Sequence, residues 1–186
     1  SLVALAGTSA VVWVAFSGGW RADLAPALWL TVAVTLFMFV LGALRSVALA
    51  RLAVVLGPYL LVLAALAAVW SHAPGATATS AAGPWLGLHI AVSVATYALF
   101  TLAAVAGTAV YLQERALKAR RPTRLTALLP AVADAERLQR ILMVLAAVVL
   151  GMGLLSGMAF EFVESRRLLV LSHKTFFALV AFGVMV

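Results

Sequence analysis

The chain has no cysteine among its 186 residues, which excludes disulfides, thiolate metal centres, iron–sulfur clusters and covalent haem attachment to this chain. Any metal or cofactor would have to use histidine, methionine, carboxylate or backbone ligands. Acid is scarce as well: the six Asp and Glu residues all lie outside the long apolar runs. The intramembrane carboxylates on which proton and cation pathways depend are therefore missing. No zinc-protease, kinase, phosphate-loop or nucleophile-elbow pattern occurs, so the reading is of a protein that is not an enzyme by itself.

What is present is hydrophobic. Apolar residues make up 66% of the chain and charged ones 10%, with a mean hydropathy of +1.15, which places it among integral membrane proteins. A formal charge of +7 would suggest nucleic acid in a soluble protein. Here the positive residues cluster between apolar runs and report topology, with lipid as the partner and no nucleic acid.

Roughly 20 apolar residues cross the hydrocarbon core as a helix. The stretches 2–20, 24–44, 52–71, 85–112, 138–160 and 168–186 qualify or nearly do. None alternates at period two as barrel strands do, so the expected fold class is all-α, a single polytopic membrane helix bundle of about six spans. Arg45, Arg51, Arg115, Lys118, Arg120, Arg121, Arg124, Arg137 and Arg140 collect on one side; Arg21, Arg166, Arg167 and Lys174 fall on the other. The positive-inside rule then makes the 113–137 connection a cytoplasmic elbow and the uncharged 72–84 loop extracytoplasmic in a bacterial inner membrane. Ser1 opens within an apolar run and Val186 stops inside a span, the pattern expected of a portion of a longer protein.

The elbow has a readable grammar. Tyr111 to Arg121 extends a helix into basic sequence, Pro122 ends or kinks it, and Leu125 to Leu129 is a short apolar piece before Pro130. Asp134 or Ala135 starts the next helix, with Asp134 and Glu136 favourably placed at its positive end. The expected role is a solvated, headgroup-facing turn, with docking of a cytoplasmic partner as the alternative. Gly151, Gly153, Ser156 and Gly157, like Ala103 and Gly107, have the spacing of close helix approach. Gly57-Pro58 reads as an N-terminal turn or mild kink.

The chemistry-bearing residues gather at the other end. His72, His89 and His173 are the three histidines, and all fall on the outer side. His72, in Ser-His-Ala-Pro, reads as a loop residue. His89 lies one turn inside Trp85, an interface anchor, and so about 6 Å below the outer boundary; His173 lies at a comparable depth, about 7 to 8 Å. His89, Ser93, Thr96, Tyr97 and Phe100 recur at steps of three or four, a polar stripe expected to face the bundle interior. Two imidazoles at one depth suit the axial positions of a haem iron, and Arg166, Arg167 and Lys174 suit its propionates. From residue types alone, a histidine that merely hydrogen-bonds a neighbouring helix is the competing reading. Glu161 and Glu164 pair locally with the nearby arginines.

The run Gly83-Pro-Trp85-Leu-Gly-Leu-His89-Ile-Ala-Val-Ser93, then Thr96-Tyr97-Ala98, a helix ending YLQERALK, a proline-containing elbow, Ala135-Glu136-Arg137-Leu138 and Gly151-Met-Gly-Leu-Leu-Ser-Gly157 resembles the cytochrome c assembly transmembrane family. That family spans synthetase, haem-exporter-associated and HemX-like or YpjD-like branches, and the likeness is closest to the last. Ser172-His173-Lys174-Thr175 is similar to the segment that opens the following helix in these proteins. The resemblance, over roughly residues 20–186, implies a longer protein of about eight helices. It also implies non-covalent haem b handled near the extracytoplasmic face, and cytochrome biogenesis components as partners. It assigns His89 to the family's outer-end histidine, with His173 the second axial ligand and Trp85, Tyr97, Arg166 and Arg167 around the cofactor. One departure is plain: residues 161–174 contain no tryptophan, whereas the synthetase and exporter branches carry a tryptophan-rich segment there. A cofactor-free scaffold subunit of a larger complex is the alternative, and a transport component the third reading.

Overall fold

The computed structural model describes residues 24–71, 84–165, 176 and 180–184, with side chains described for 25–71, 87–158, 176 and 180–184. Every element among the described residues is a helix: α1 (Leu24–Ala43), α2 (Val47–Arg51), α3 (Ala53–Trp70), α4 (Pro84–Lys118), α5 (Arg124–Leu128) and α6 (Val132–Ser165). Four of them are long and apolar enough to cross a membrane, over Ala25–Ala43, Ala53–Trp70, Gly87–Lys118 and Val132–Met158. The all-helical class and the four inner spans thus match the sequence reading. The expected span 2–20 and the 72–84 loop (but for its last residue, Pro84, which opens α4) lie outside the described residues, and of 168–186 only 176 and 180–184 are described, as helix.

Two boundaries differ from the hydropathy pattern, and each has a local cause. The α4 helix stops at Lys118 before Pro122 is reached, because Arg120 takes a left-handed conformation (φ 50°). The Arg121 N–H then donates to Ala116 O and the Arg120 N–H to Leu117 O, the paired bonds of a Schellman cap built on arginine instead of glycine. The α6 helix starts at Val132, earlier than the acidic pair suggests, since Pro130 already halts the preceding segment and the Ala135 N–H closes the first turn onto Ala131 O. At the α2–α3 junction Ser46 caps α2 by accepting from the Leu49 N–H at 3.3 Å, and Leu52 ends α2 and begins α3 together. Pro58 sits inside α3, which runs through it. Its missing N–H falls in the second turn, so the helix begins before the Gly57-Pro58 pair and not at it.

The helices pack as an antiparallel bundle in which α4 against α6 is the most extensive pairing, with α1 packed on α3 and α4. The buried apolar cluster runs through Val32 and Phe39 of α1, Leu52 and Leu56 at the α2–α3 corner, Leu102 to Ala109 of α4, and Leu129 to Leu142. That places the core toward the basic end. Glycine sets the α4–α6 approach: a side-chain carbon at Gly107 would lie 3.1 Å from the Gln139 carboxamide, and one at Gly153 3.2 Å from Val92. A carbon at Gly151 would likewise lie 3.2 Å from the Phe182 ring, which seats the 180–184 helical residues on α6.

The elbow is folded back and clamped. Thr123 and Thr126 form a reciprocal capping box at the start of α5, and Gln113 Nε2 of α4 donates to Thr126 O at 2.9 Å and to Pro130 O at 3.1 Å. Thr126, Leu129 and Pro130 are buried beneath it. One polar cost stands in the core: the Thr35 hydroxyl is wholly buried without a hydrogen-bond partner.

Gln113→Ala removes both clamp bonds and leaves two carbonyls unsatisfied, an expected loss of about 1–3 kcal/mol, seen as a lower unfolding midpoint in detergent and faster tryptic cleavage within 115–124. Gln113→Glu fails equally, having no N–H to donate. Thr35→Val, which keeps the shape and removes the orphan hydroxyl, is expected to be neutral or to stabilise by about 1 kcal/mol in the same melting measurement.

Candidate functional site

The end of the bundle opposite the elbow is built on the seam between α4 and α6. Its central residue is His89, held on the second turn of α4. A continuous helix from Pro84 fixes the spacing, so Val92, Ser93 and Thr96 follow on neighbouring turns. Across the seam α6 presents Gly153, Ser156 and Gly157. Val92 lies over Gly153, and the His89 ring edge lies over Gly157, where an added carbon would sit 3.6 Å from Cε1. These contacts share one antiparallel register with Gly107 over Gln139 at the other end.

Most of the polar stripe satisfies itself. The Ser93 hydroxyl donates to His89 O at 2.8 Å, the Thr96 hydroxyl to Val92 O at 2.9 Å and the Ser156 hydroxyl to Gly153 O at 2.9 Å. Such back-bonds neutralise a hydroxyl in hydrocarbon without any ligand. The imidazole is different. His89 is half-buried and its Nδ1 is buried with no hydrogen-bond partner. It and Thr35 Oγ1 are the two such atoms among the described residues.

The stripe does not face the interior as a unit. Thr96 is buried and His89 and Ser93 are half-buried, but Tyr97 is 63% exposed and Phe100 is also turned outward. Helix α4 is buried on two sides, one carried by Val94, Ala98, Leu102 and Val105 and one by Thr96, Ala103 and Ala106, and the stripe includes Thr96 of the second side and the exposed strip beside it. Tyr97 is therefore turned out of the seam in which the His89 ring lies. His173, Arg166 and Arg167 lie outside the described residues, as does the side chain of Trp85, whose backbone is in the first turn of α4. His72 also falls outside them. Among the described residues no group of three or more His, Cys, Asp or Glu could hold a metal ion.

The feature that sequence patterning left unassigned is the seat of the imidazole. The spacing of the α6 glycines indicated close approach but not which side chain each one receives; a register read from the Gly107 and Gly157 pair could have found it. Gly157→Ala is expected to leave the unfolding midpoint nearly unchanged, since 3.6 Å is an ordinary contact. Gly157→Leu overfills the seam at a cost of about 1–3 kcal/mol and displaces the ring, which NMR of a histidine-labelled sample resolves as a shifted His89 signal.

Comparison with known proteins supplies a family. Residues 20–185 match the family described as Cytochrome C assembly protein. The "Uncharacterized 28.8 kDa protein in nifR3-like 5'region" of Azospirillum brasilense is 42% identical over 184 residues, which cover 98% of this chain and 68% of that protein. No solved structure matches. The matched region contains all four membrane-length helices, the clamped elbow and the His89 seam, and the chain accordingly belongs to the cytochrome c assembly family, as a multi-pass membrane protein of cytochrome biogenesis.

Proposed function

We propose that this chain handles haem: it holds b-type haem non-covalently at the end of the bundle away from the basic elbow and relays it during cytochrome biogenesis. In the topology expected from the basic residues that end is the extracytoplasmic face of a bacterial inner membrane. The observation that carries the reading is the unpartnered, buried Nδ1 of His89 in a helix seam of a cytochrome c assembly protein. A buried imidazole nitrogen without a partner costs about 1–3 kcal/mol. In the tautomer protonated on Nε2, that nitrogen carries an open lone pair, the donor that haem iron accepts.

The donor set of the chain fits such a cofactor. With no thiol available, imidazole is the strongest ligand type present. His89 and His173 would hold the haem iron, with Trp85 and Tyr97 contributing to the cofactor site and Arg166 and Arg167 to pairing with the propionates. Bound haem would supply a redox-active iron and a cargo. The chain's own residues bind and orient it: the Gly153–Gly157 segment keeps α6 close enough to hold the imidazole, and the Ser93 and Thr96 hydroxyls are spent on back-bonds within α4. The tryptophan-free 161–174 segment favours the HemX-like branch and a role in haem handling over synthetase activity.

The test is the optical spectrum and pyridine haemochrome of protein purified from haem-replete cells. The expected result is a low-spin b-type spectrum with about one haem per chain. His89→Ala and His173→Ala are each expected to convert it to high-spin or weakly bound haem, and the double variant to abolish the Soret band. A Soret band that survives the double variant would overturn the ligand assignment, and none in the native protein together with a stoichiometric partner subunit would sink this reading in favour of a cofactor-free scaffold.

A further inference from the structure

The clamped elbow fixes where its charges lie relative to the bilayer. The apolar run of α4 ends at Leu112, and Gln113 follows it directly, about 1.5 Å along the axis. Because the Gln113 carboxamide bonds Thr126 O and Pro130 O, α5 is held at that same level. A headgroup layer is about 5–7 Å deep on each side of the hydrocarbon. The elbow therefore lies within it instead of projecting into water.

Two sets of side chains are exposed there. Thr126 and Leu129 are buried, whereas Leu125 and Leu128 of α5 are exposed, as is Leu117 of α4. On the same stretch Arg115, Arg120, Arg121 and Arg124 are all exposed. Among the described residues the sole ion pair joins Lys118 to Glu114 at 3.5 Å, so none of these arginines is neutralised by a neighbouring carboxylate. Leucines flanked by unpaired guanidinium groups at the depth of lipid phosphates match an amphipathic membrane-surface element.

We propose that this elbow is a binding surface for anionic phospholipid, in which the arginines hold headgroup phosphates while Leu117, Leu125 and Leu128 enter the acyl boundary. A water-soluble acidic protein would meet the same charges. It would not cover leucines set at the depth of the bilayer surface, and the depth argument selects lipid.

The experiment uses the full chain in nanodiscs of phosphatidylcholine containing a minority of phosphatidylglycerol, reading retained lipids by native mass spectrometry and stability by thermal unfolding. Phosphatidylglycerol is expected to be enriched around the protein over the bulk ratio, and its presence to raise the unfolding midpoint. Each arginine removed should reduce the preference roughly fivefold, so the Arg121→Gln, Arg124→Gln double variant loses most of the enrichment while Arg121→Lys, Arg124→Lys keeps it. Leu125→Ser with Leu128→Ser is expected to lower retention of lipid of both kinds. In 1 M salt the preference should shrink, as screening shortens to about 3 Å. Phosphatidylglycerol retention equal in the native chain and the glutamine variant would overturn the proposal. So would loss of a co-purifying acidic protein from that variant with its lipid composition unchanged.

Discussion

The structure hangs on the antiparallel seam between α4 and α6. Inside a bilayer there is no hydrophobic gain from bringing two apolar helices together, so close association must come from dispersion contacts and polar satisfaction between backbones that can approach closely. Gly107, Gly153 and Gly157 supply that approach, each receiving one side chain of the facing helix: Gln139, Val92 and His89. The three contacts share one register. A shift of either helix would drive a side chain into backbone at all three, which is why the seam specifies an alignment as well as a pairing.

From that alignment the two ends of the bundle acquire different characters. At the basic end α1, α3, α4 and α6 all contribute to the buried cluster, and the elbow folds onto it through Gln113. At the opposite end the buried side chains besides the seam are small, such as Ala25 of α1, Ala67 of α3 and Val94 of α4, with Tyr97, Phe100 and Leu88 turned outward and a buried imidazole nitrogen left without a partner. Stability is concentrated where no chemistry is expected. Among the described residues the buried apolar cluster lies toward the basic end, away from the candidate site.

Much of this is legible in the sequence, for physical reasons that also explain the rest. Long apolar runs have few alternatives in hydrocarbon, since backbone groups must bond within the segment; hence 24–44 and 52–71 anticipated α1 and α3 to within a residue at each end. Helix ends were less legible, because they are decided by local bonds that hydropathy does not register. The left-handed Arg120 stopped α4 ahead of the proline, and the turn at Pro130 and Ala131 started α6 ahead of its acidic pair. Expecting a solvated elbow was reasonable from its charge, but Gln113 carries no signal of the two carbonyls that it reaches. At the site, helical periodicity grouped His89, Ser93, Thr96, Tyr97 and Phe100 on one face. Which way that face turns depends on neighbours that are remote in sequence: α4 is buried on two sides, so Thr96 is buried while Tyr97 and Phe100 are exposed.

The Gln113 clamp bears on more than the elbow. A continuous α-helix is torsionally stiff, so the azimuth imposed at one of its ends is transmitted to the other. Gln113 and His89 lie on the same unbroken helix, about 36 Å apart along its axis. The bonds from Gln113 to Thr126 and Pro130 thus act as an angular stop: they set, from across the membrane, the compass direction in which the imidazole points.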